Sequence, residues 1–124
     1  MAYWLAFYIG SFKPLNGYLS QNTETILGLH SISNGKDTLG LMPTGGGKSL
    51  TFQVPAMTME GICIVVTPLI ALMKDQVDNL RERNIKALAV YSGMTRQEII
   101  TTLENAIFGD FKFLYVSPER LATQ

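Results

Sequence analysis

The sequence Met42-Pro-Thr-Gly-Gly-Gly-Lys-Ser-Leu50 stands between a short apolar run and a segment with helical spacing. Gly45, Gly46 and Gly47 let the backbone follow a tight path and bring several N–H groups around one polyanion. A helix predicted to begin at Lys48 adds its positive N-terminal end, which favours a bound phosphate. The stretch therefore predicts a phosphate-binding loop between a strand and a helix.

The side chains that follow the glycines fit the same interpretation. The Lys48 ammonium can reach the β- and γ-phosphates of a nucleotide, and the Ser49 hydroxyl can hold Mg²⁺. Met42 stands where the general pattern has its first glycine, so that pattern is missed at one position. The alternative is a glycine-rich turn followed by an incidental Lys-Ser. The loop alone leaves nucleotide kinases, GTPases, transport ATPases and helicases open.

Outward from the loop, short apolar runs alternate with helical segments. The apolar runs predict strands over residues 38–42, 62–66, 87–91 and 111–116. Helices are predicted over residues 48–59, from residue 67 onward and over residues 95–108. This alternation predicts an α/β fold with a parallel sheet and helices on both faces. Ligands of such sheets bind at the carboxyl ends of the strands, so we expect one edge to carry the function.

Local signals predict how the helices begin and which side chains they bury. Pro55 is expected to kink or end the first helix. The pair Thr67-Pro68 predicts an N-cap and first residue for the second helix, and Thr95 with Glu98 predicts a capping box for the third. Two sets of side chains are expected to face inward at helical spacing. These are Leu69, Leu72, Met73, Gln76, Val77 and Leu80 in the second helix, and Ile99, Ile100, Leu103 and Ile107 in the third.

Composition suits one small domain, because 47% of the 124 residues are hydrophobic. Lys plus Arg and Asp plus Glu number ten each, so net charge neither supports nor excludes a nucleic-acid partner. Cys63, the single cysteine, excludes a disulfide within the chain and predicts a small buried hydrophobe in a reducing compartment. His30 is the only histidine and is expected on a helix face. Residues 1–10 are apolar but too short to span a membrane.

From about Asn34 onward, the chain closely resembles RecQ helicases of helicase superfamily two. The phosphate loop followed by Phe52-Gln-Val-Pro55 looks like the RecQ form of motif I, Met42 included. Residues 66–77 (VTPLIALMKDQV) look like motif Ia, and residues 115–121 (YVSPERL) look like motif Ib. Tyr91-Ser92-Gly93 matches a RecQ segment after the third strand. Four matches in the same order and at similar spacing make the resemblance specific.

The resemblance implies a RecA-like P-loop NTPase fold with a three-layer parallel sheet, of which this chain carries part. It implies a 3′–5′ DNA helicase that couples ATP hydrolysis to single-stranded DNA translocation and duplex unwinding in recombination and repair. The implied ligands are ATP, Mg²⁺, and single-stranded and duplex DNA, with no membrane partner and a bacterial cytosolic or nucleoid location.

The resemblance also assigns site residues. Those expected to bind ATP are Thr44, Gly45, Gly46, Gly47, Lys48, Ser49 and Leu50, with Lys48 and Ser49 catalytic and Ser49 on the nucleotide's Mg²⁺. Those expected along the single-stranded DNA path are Thr67, Pro68, Leu69, Ser117, Pro118, Glu119 and Arg120. From the residues alone, a helix start at Thr67 could hold a DNA phosphate, and Arg120 could contact the backbone. Plain helix starts remain the alternative at both places.

Two departures from the family pattern stand out. RecQ helicases have an upstream Phe-Arg pair followed by a Gln that reads adenine. Here Phe12-Lys13-Pro14-Leu15 resembles its start, but Asn16 stands at the Gln position, and counting back from Gly35 reaches Thr25 instead. Residues 1–33 are therefore an insertion, a divergent segment or a sequence error, and are assigned to a divergent or atypical N-terminal helical segment. Residues 34–124 are assigned to the N-terminal part of the first RecA-like helicase ATP-binding domain.

The second departure is that no Asp-Glu-Ala-His segment occurs in the sequence. In the family its acidic residues complete the Mg²⁺ site and prepare the attacking water. We therefore expect residues 1–124 alone to bind nucleotide weakly and to hydrolyse it negligibly. Two other classes stay open: a nucleotide kinase, which needs an arginine-rich lid that the four arginines here do not form, and a non-catalytic remnant that only binds nucleotide.

Overall fold

The computed structural model describes residues 29–36, 38 and 48–122. The chain forms two compact units, Met1–Glu60 and Gly61–Gln124. The strand expected over residues 38–42 and the segment of residues 1–28 fall outside the described residues, except for Thr38, which has no regular structure.

The described part of the first unit begins with a helical stretch over residues 29–33. Gly35 follows it with a φ of 68°, and its N–H donates to the Ile32 carbonyl at 2.9 Å. A glycine in this left-handed conformation is a common way to end a helix. His30 is exposed and contacts the Asn34 amide at 3.2 Å, which confirms its expected place on a helix face.

The predicted helix after the phosphate loop is present as α1 (Lys48–Thr58). It begins at Lys48, as expected. Pro55 lies inside α1 without ending it, since the helix continues to Thr58, whose hydroxyl donates to the Pro55 carbonyl at 2.8 Å. Phe52 and Ala56 are buried at a spacing of four residues, which identifies the apolar face of α1.

The second unit alternates strands and helices throughout. Its elements are β1 (Cys63–Val66), α2 (Ile70–Glu82), β2 (Ala87–Val90), α3 (Arg96–Phe108), β3 (Phe113–Val116) and α4 (Pro118–Ala122). The three strands form a sheet in the order β1-β3-β2, and β3 pairs with both neighbours in parallel. The register aligns Val66, Val116 and Val90, so all three strands end at one edge. The predicted parallel α/β arrangement is confirmed.

Both faces of this sheet are covered. The chain crosses over β3 from β1 to β2 and then returns to β3, so right-handed crossovers place α2 and α3 on opposite faces. On one face, Leu88, Val90, Leu114 and Val116 form a buried cluster against which α3 packs through Ile99 and Ala106. Phe113 and Tyr115 alternate to the other face and are 0% exposed.

The start of α2 differs from the prediction. The helix begins at Ile70 and its N-cap is Leu69, whose apolar side chain makes no capping bond, so the predicted Thr67 N-cap is wrong. The reason is that the Thr67 N–H donates to the Val116 carbonyl at 3.1 Å, which keeps Thr67 attached to the sheet edge. Helical geometry can begin only after Pro68 has turned the chain away from that edge.

The predicted apolar stripe of α2 is only partly right. Met73, Val77 and Leu80 are buried, as expected. Leu72 is 42% exposed, so its assignment to the core is wrong, while Leu69 and Gln76 are half-buried. Leu72 precedes Met73 by one residue, which is a rotation of about 100° around the helix axis. Its side chain therefore lies at the side of α2, next to the buried face.

The capping box of α3 is confirmed, but its inward face is not the one expected. The Glu98 carboxylate accepts from the Thr95 N–H at 2.7 Å and from the Thr95 hydroxyl at 2.8 Å. Ile99 is half-buried, whereas Ile100, Leu103 and Ile107 are exposed by 39%, 40% and 74%, so the prediction for these three is wrong. The cause is a rotation of the contact face toward Ile99 and Ala106.

Cys63 opens β1 and is half-buried rather than fully buried. Burial raises the pKa of its thiol, and the charge of Lys112 offsets part of that rise. Within the described ranges, no helix is long and apolar enough to cross a membrane.

Alanine substitutions of the neighbouring residues Met73 and Leu72 test which face of α2 is buried. Met73→Ala should lower the free energy of unfolding by about 2–5 kcal/mol, because it empties a fully buried position. Leu72→Ala should lower it by less than about 1 kcal/mol, because Leu72 is substantially exposed. Urea unfolding followed by circular dichroism measures both. Equal losses would show that the contact face is misplaced.

The capping box should make stability depend on pH. Thr95→Ala should cost about 1 kcal/mol at pH 7, since it removes the cap of α3. Hydrogen bonds from the Thr95 backbone and side chain hold the pKa of Glu98 below its ordinary value. The stabilisation by the Glu98 carboxylate is therefore present above the unfolded pKa, about 4.3, and is lost as the pH falls through the lowered folded value.

Glu98→Gln should accordingly destabilise the protein at pH 7, with a difference from wild type that shrinks in acid. Glu104→Gln, a change at an exposed residue of the same helix, is the matched control and should have little effect. Unfolding curves at pH 7 and pH 3 for the three proteins measure the difference. If the loss of unfolding free energy in Glu98→Gln is the same at both pH values, the charge of the Glu98 carboxylate does not contribute to the capping box.

Candidate nucleotide and nucleic-acid site

Several of the residues expected to bind nucleotide lie at the start of α1. Lys48 is the first residue of this helix, and Ser49 and Leu50 follow it. Ser49 is half-buried, while Leu50 is 46% exposed. Thr44 and the three glycines lie outside the described residues, as does the Lys48 side chain.

A helix that starts at Lys48 fits a phosphate group. The first N–H groups of a helix have no intrahelical partner, and the helix dipole gives them positive potential. No acidic residue occurs in the first turn of α1 to oppose an anion. The two residue types that recognise a nucleotide phosphate and its Mg²⁺, Lys and Ser, are the first two residues of the helix.

In the second unit, the ends of the three strands bring three turns together. We call the residues that follow β1, β2 and β3 (67–69, 91–94 and 117–120) the carboxyl edge. The Thr67 N–H donates to the Val116 carbonyl at 3.1 Å, and the Ser117 N–H donates to the Val90 carbonyl at 3.0 Å. These bonds extend the ladder beyond the strands. The segments that resemble motifs Ia and Ib are therefore neighbours at one edge, as expected.

The DNA-path residues of the carboxyl edge divide into buried and exposed side chains. Thr67 is 6% exposed and Ser117 is 0% exposed. Pro68, Pro118 and Glu119 are exposed, while Leu69 and Arg120 are half-buried. The surface that a ligand can reach in this conformation is therefore made by the residues after Thr67 and Ser117. The Ser117 Oγ is fully buried and has no hydrogen-bond partner among the described residues.

The Arg120 guanidinium contacts protein backbone. Its Nε donates to the Tyr91 carbonyl at 3.2 Å, and its Nη2 donates to the Met94 carbonyl at 3.4 Å. Its own N–H donates to the Ser117 carbonyl at 3.0 Å. Arg120 thus joins the turn after β3 to the turn after β2.

Sequence reasoning gave no role to the turn at residues 91–94. In the structure, the Met94 N–H donates to the Tyr91 carbonyl and the Met94 sulfur accepts from the Tyr91 N–H, both at 3.4 Å. Gly93 has a φ of 102°, which favours glycine. The Lys74 ammonium of α2 lies 4.8 Å from the centroid of the Tyr91 ring. The signal in the sequence was a Ser-Gly pair directly after a strand.

Acidic residues do not gather into a metal site in the part of the chain that the structure describes. Over those residues, no three His, Cys, Asp or Glu side chains lie close enough to hold a metal ion. Asp110 precedes β3 and so lies at the edge opposite the carboxyl edge. Ser49 stays the residue that the sequence predicts to hold Mg²⁺ through a bound nucleotide.

A parallel sheet whose turns converge at one edge is found in the second unit, and a helix that begins at Lys-Ser after three glycines is found in the first. Both features are typical of α/β proteins of the P-loop type. The chain belongs to the DEAD/DEAH box helicase family, whose model matches residues 24–124. The expected RecA-like P-loop fold is confirmed by this match.

The chain is also similar to individual curated helicases. It is 48% identical over 88 residues to the ATP-dependent DNA helicase RecQ of Bacillus subtilis (strain 168), covering 71% of this chain and 15% of that protein. It is 40% identical over 111 residues to the ATP-dependent DNA helicase RecQ of Haemophilus influenzae, covering 90% and 18%. With the ATP-dependent helicase SGS1 of Saccharomyces cerevisiae it is 45% identical over 112 residues, covering 87% and 8%.

These matches confirm the resemblance to RecQ helicases. The chain spans less than a fifth of the length of these relatives.

The buried Ser117 hydroxyl offers a test of the carboxyl edge. Ser117→Ala should leave the free energy of unfolding unchanged or raise it by up to about 1 kcal/mol, because it removes a buried polar atom that has no partner in the part of the chain that the structure describes. Ser92→Ala, at an exposed serine of the same edge, is the control and should change nothing. Urea unfolding measures both. A loss above about 1 kcal/mol for Ser117→Ala would mean that its hydroxyl has a partner in solution.

Proposed function

We propose that this chain is the ATP-binding portion of a RecQ-like 3′–5′ DNA helicase, which couples ATP hydrolysis to translocation along single-stranded DNA and duplex unwinding in recombination and repair. The observation that carries the proposal is the carboxyl edge. There, the segments that resemble motifs Ia and Ib are joined by backbone hydrogen bonds, in a chain that matches the helicase family over residues 24–124. A cytosolic or nucleoid location in a bacterium follows from the same proposal.

In this proposal, the loop and the start of α1 bind the nucleotide. Thr44, Gly45, Gly46 and Gly47 supply backbone N–H groups to the phosphates, and α1 adds its N-terminal dipole. Lys48 contacts the β- and γ-phosphates as a point charge. Ser49 holds the Mg²⁺ that accompanies ATP, and Leu50 lies beside the nucleotide. When bound, Mg²⁺ would neutralise part of the negative charge of the phosphates.

The carboxyl edge binds the DNA strand in this proposal. The segment 67–69 and the segment 117–120 lie side by side, so one single strand can run across both. Contacts come from exposed backbone and from residues such as Pro68 and Pro118, which suits a strand that is held by its backbone without regard to sequence. Glu119 is also exposed and repels phosphate, so it favours a path that passes to one side of it.

The experiment that tests the function is the ATPase rate of the intact protein with and without DNA. Single-stranded DNA should raise the rate by at least about tenfold, because a translocating motor completes its active conformation on the strand. A nucleotide kinase would respond to a nucleoside monophosphate acceptor and not to DNA. A remnant that only binds nucleotide would give no turnover under either condition. Either of the last two results would refute the helicase proposal.

Lys48→Ala tests the nucleotide site itself. It should weaken ATP binding by about tenfold or more, since it removes a charge-assisted contact with the phosphates. Lys36→Ala, at an exposed lysine of the same unit, is the matched control and should bind ATP as the wild type does. Fluorescence titration with a labelled ATP analogue measures both affinities. If Lys48→Ala binds ATP with unchanged affinity, Lys48 does not contact the nucleotide phosphates.

A further inference from the structure

We propose that Arg120 is a positioning residue, which fixes the turn at residues 91–94 against the segment 117–120 and does not bind a DNA phosphate. This inference rests on the proposed function for its effect on DNA. The contacts that support it lie within the protein and do not depend on bound DNA. The resemblance to motif Ib places Arg120 along the DNA path. In the structure, its guanidinium donates hydrogen bonds to backbone carbonyls of the protein.

Two hydrogen bonds join the Arg120 guanidinium to the turn after β2. Nε and Nη2 donate to two carbonyls, of Tyr91 and Met94, at 3.2 and 3.4 Å. These carbonyls lie 29 and 26 residues away in sequence. Arg120 is half-buried, so these charge-assisted bonds are partly shielded from water and are stronger than similar bonds at an exposed site.

The turn that receives these bonds is itself closed by a backbone hydrogen bond. The Tyr91 carbonyl also accepts from the Met94 N–H, so both ends of the turn are closed on each other. Arg120 donates to the same two residues and holds the closed form. Gly93, at a φ of 102°, lies between them and would otherwise give the turn freedom to open.

The turn begins beside Ser117 at the carboxyl edge. Val90 and Val116 are aligned partners, and the Ser117 N–H donates to the Val90 carbonyl. The turn at residues 91–94 therefore follows directly from the strand beside Ser117. Arg120 adds side-chain bonds to this backbone bond, and the two segments become one rigid part of the carboxyl edge.

The shape of the side chain matters as much as its charge. The planar guanidinium presents donors in a fixed fork and can bridge two carbonyls at once. An ammonium keeps the positive charge but lacks that fork. A positioning role therefore predicts that Arg120→Lys resembles Arg120→Ala, whereas a phosphate contact predicts that Arg120→Lys retains most of the binding.

The test combines DNA binding at several salt concentrations with amide hydrogen exchange, using the intact protein and a labelled single-stranded oligonucleotide. Arg120→Ala and Arg120→Lys should both weaken binding by about tenfold, the size of effect of one lost charge-assisted hydrogen bond. The slope of log affinity against log salt should stay at the wild-type value. Loss of a phosphate contact would instead reduce that slope by about 0.7.

Hydrogen exchange supplies a readout that needs no DNA. In both Arg120 variants, the Met94 amide should exchange about tenfold faster, because the closed turn has lost its support. Amides of β3 should keep their protection, which shows that the fold is intact. Arg83→Ala, at the exposed C-cap residue of α2, is the control and should change neither measurement.

The outcomes separate this inference from the proposed function. Unchanged exchange at Met94 in both variants overturns the positioning role. So does a smaller salt slope in Arg120→Ala together with near-normal binding in Arg120→Lys. If the wild type binds no single-stranded DNA, the proposed function fails, while faster exchange at Met94 would still support the positioning role.

Discussion

The pairing of β3 with both of its neighbours is the interaction on which the described second unit depends. β3 is the last strand of the unit in sequence but the central one in the sheet, and it bonds to β1 and β2 in register. Its side chains, Phe113 to Val116, are all buried. Because parallel strands in register end together, this pairing alone decides that three turns separated along the chain meet at one edge.

The backbone bonds at the carboxyl edge continue that ladder into the candidate DNA-binding segments. Thr67 and Ser117 each donate an N–H to a neighbouring strand, and their side chains are buried as a result. The sheet therefore controls the segments that resemble motifs Ia and Ib more closely than the helices after them do. Arg120 extends the same control to the turn after β2 through its side chain. The segment that resembles motif Ib therefore contains residues, Ser117 and Arg120, whose contacts stabilise the carboxyl edge of the sheet.

Local signals in the sequence were reliable where the chemistry is local. The capping box at Thr95 and Glu98 and the start of α1 at Lys48 depend on residues within one turn, and both are confirmed. The signal at Thr67-Pro68 looked equally local but was wrong, because a neighbouring strand offered the Thr67 N–H a carbonyl partner. Some side chains of the predicted stripes of α2 and α3 are exposed, Leu72 and Ile100 among them, since the buried stripe is set by the direction from which the sheet approaches.

The sequence by itself determined the class of fold, the alternation of strands and helices, the family and the residues at the start of α1. It could do so because glycine freedom, apolar periodicity and helix capping are properties of residues close together in the chain. Only the tertiary structure decided that β3 lies between β1 and β2, that Ser117 is buried, and that Arg120 contacts the carbonyls of Tyr91 and Met94. These features join residues up to 50 positions apart through backbone groups, which every residue carries and which therefore leave no mark in the sequence.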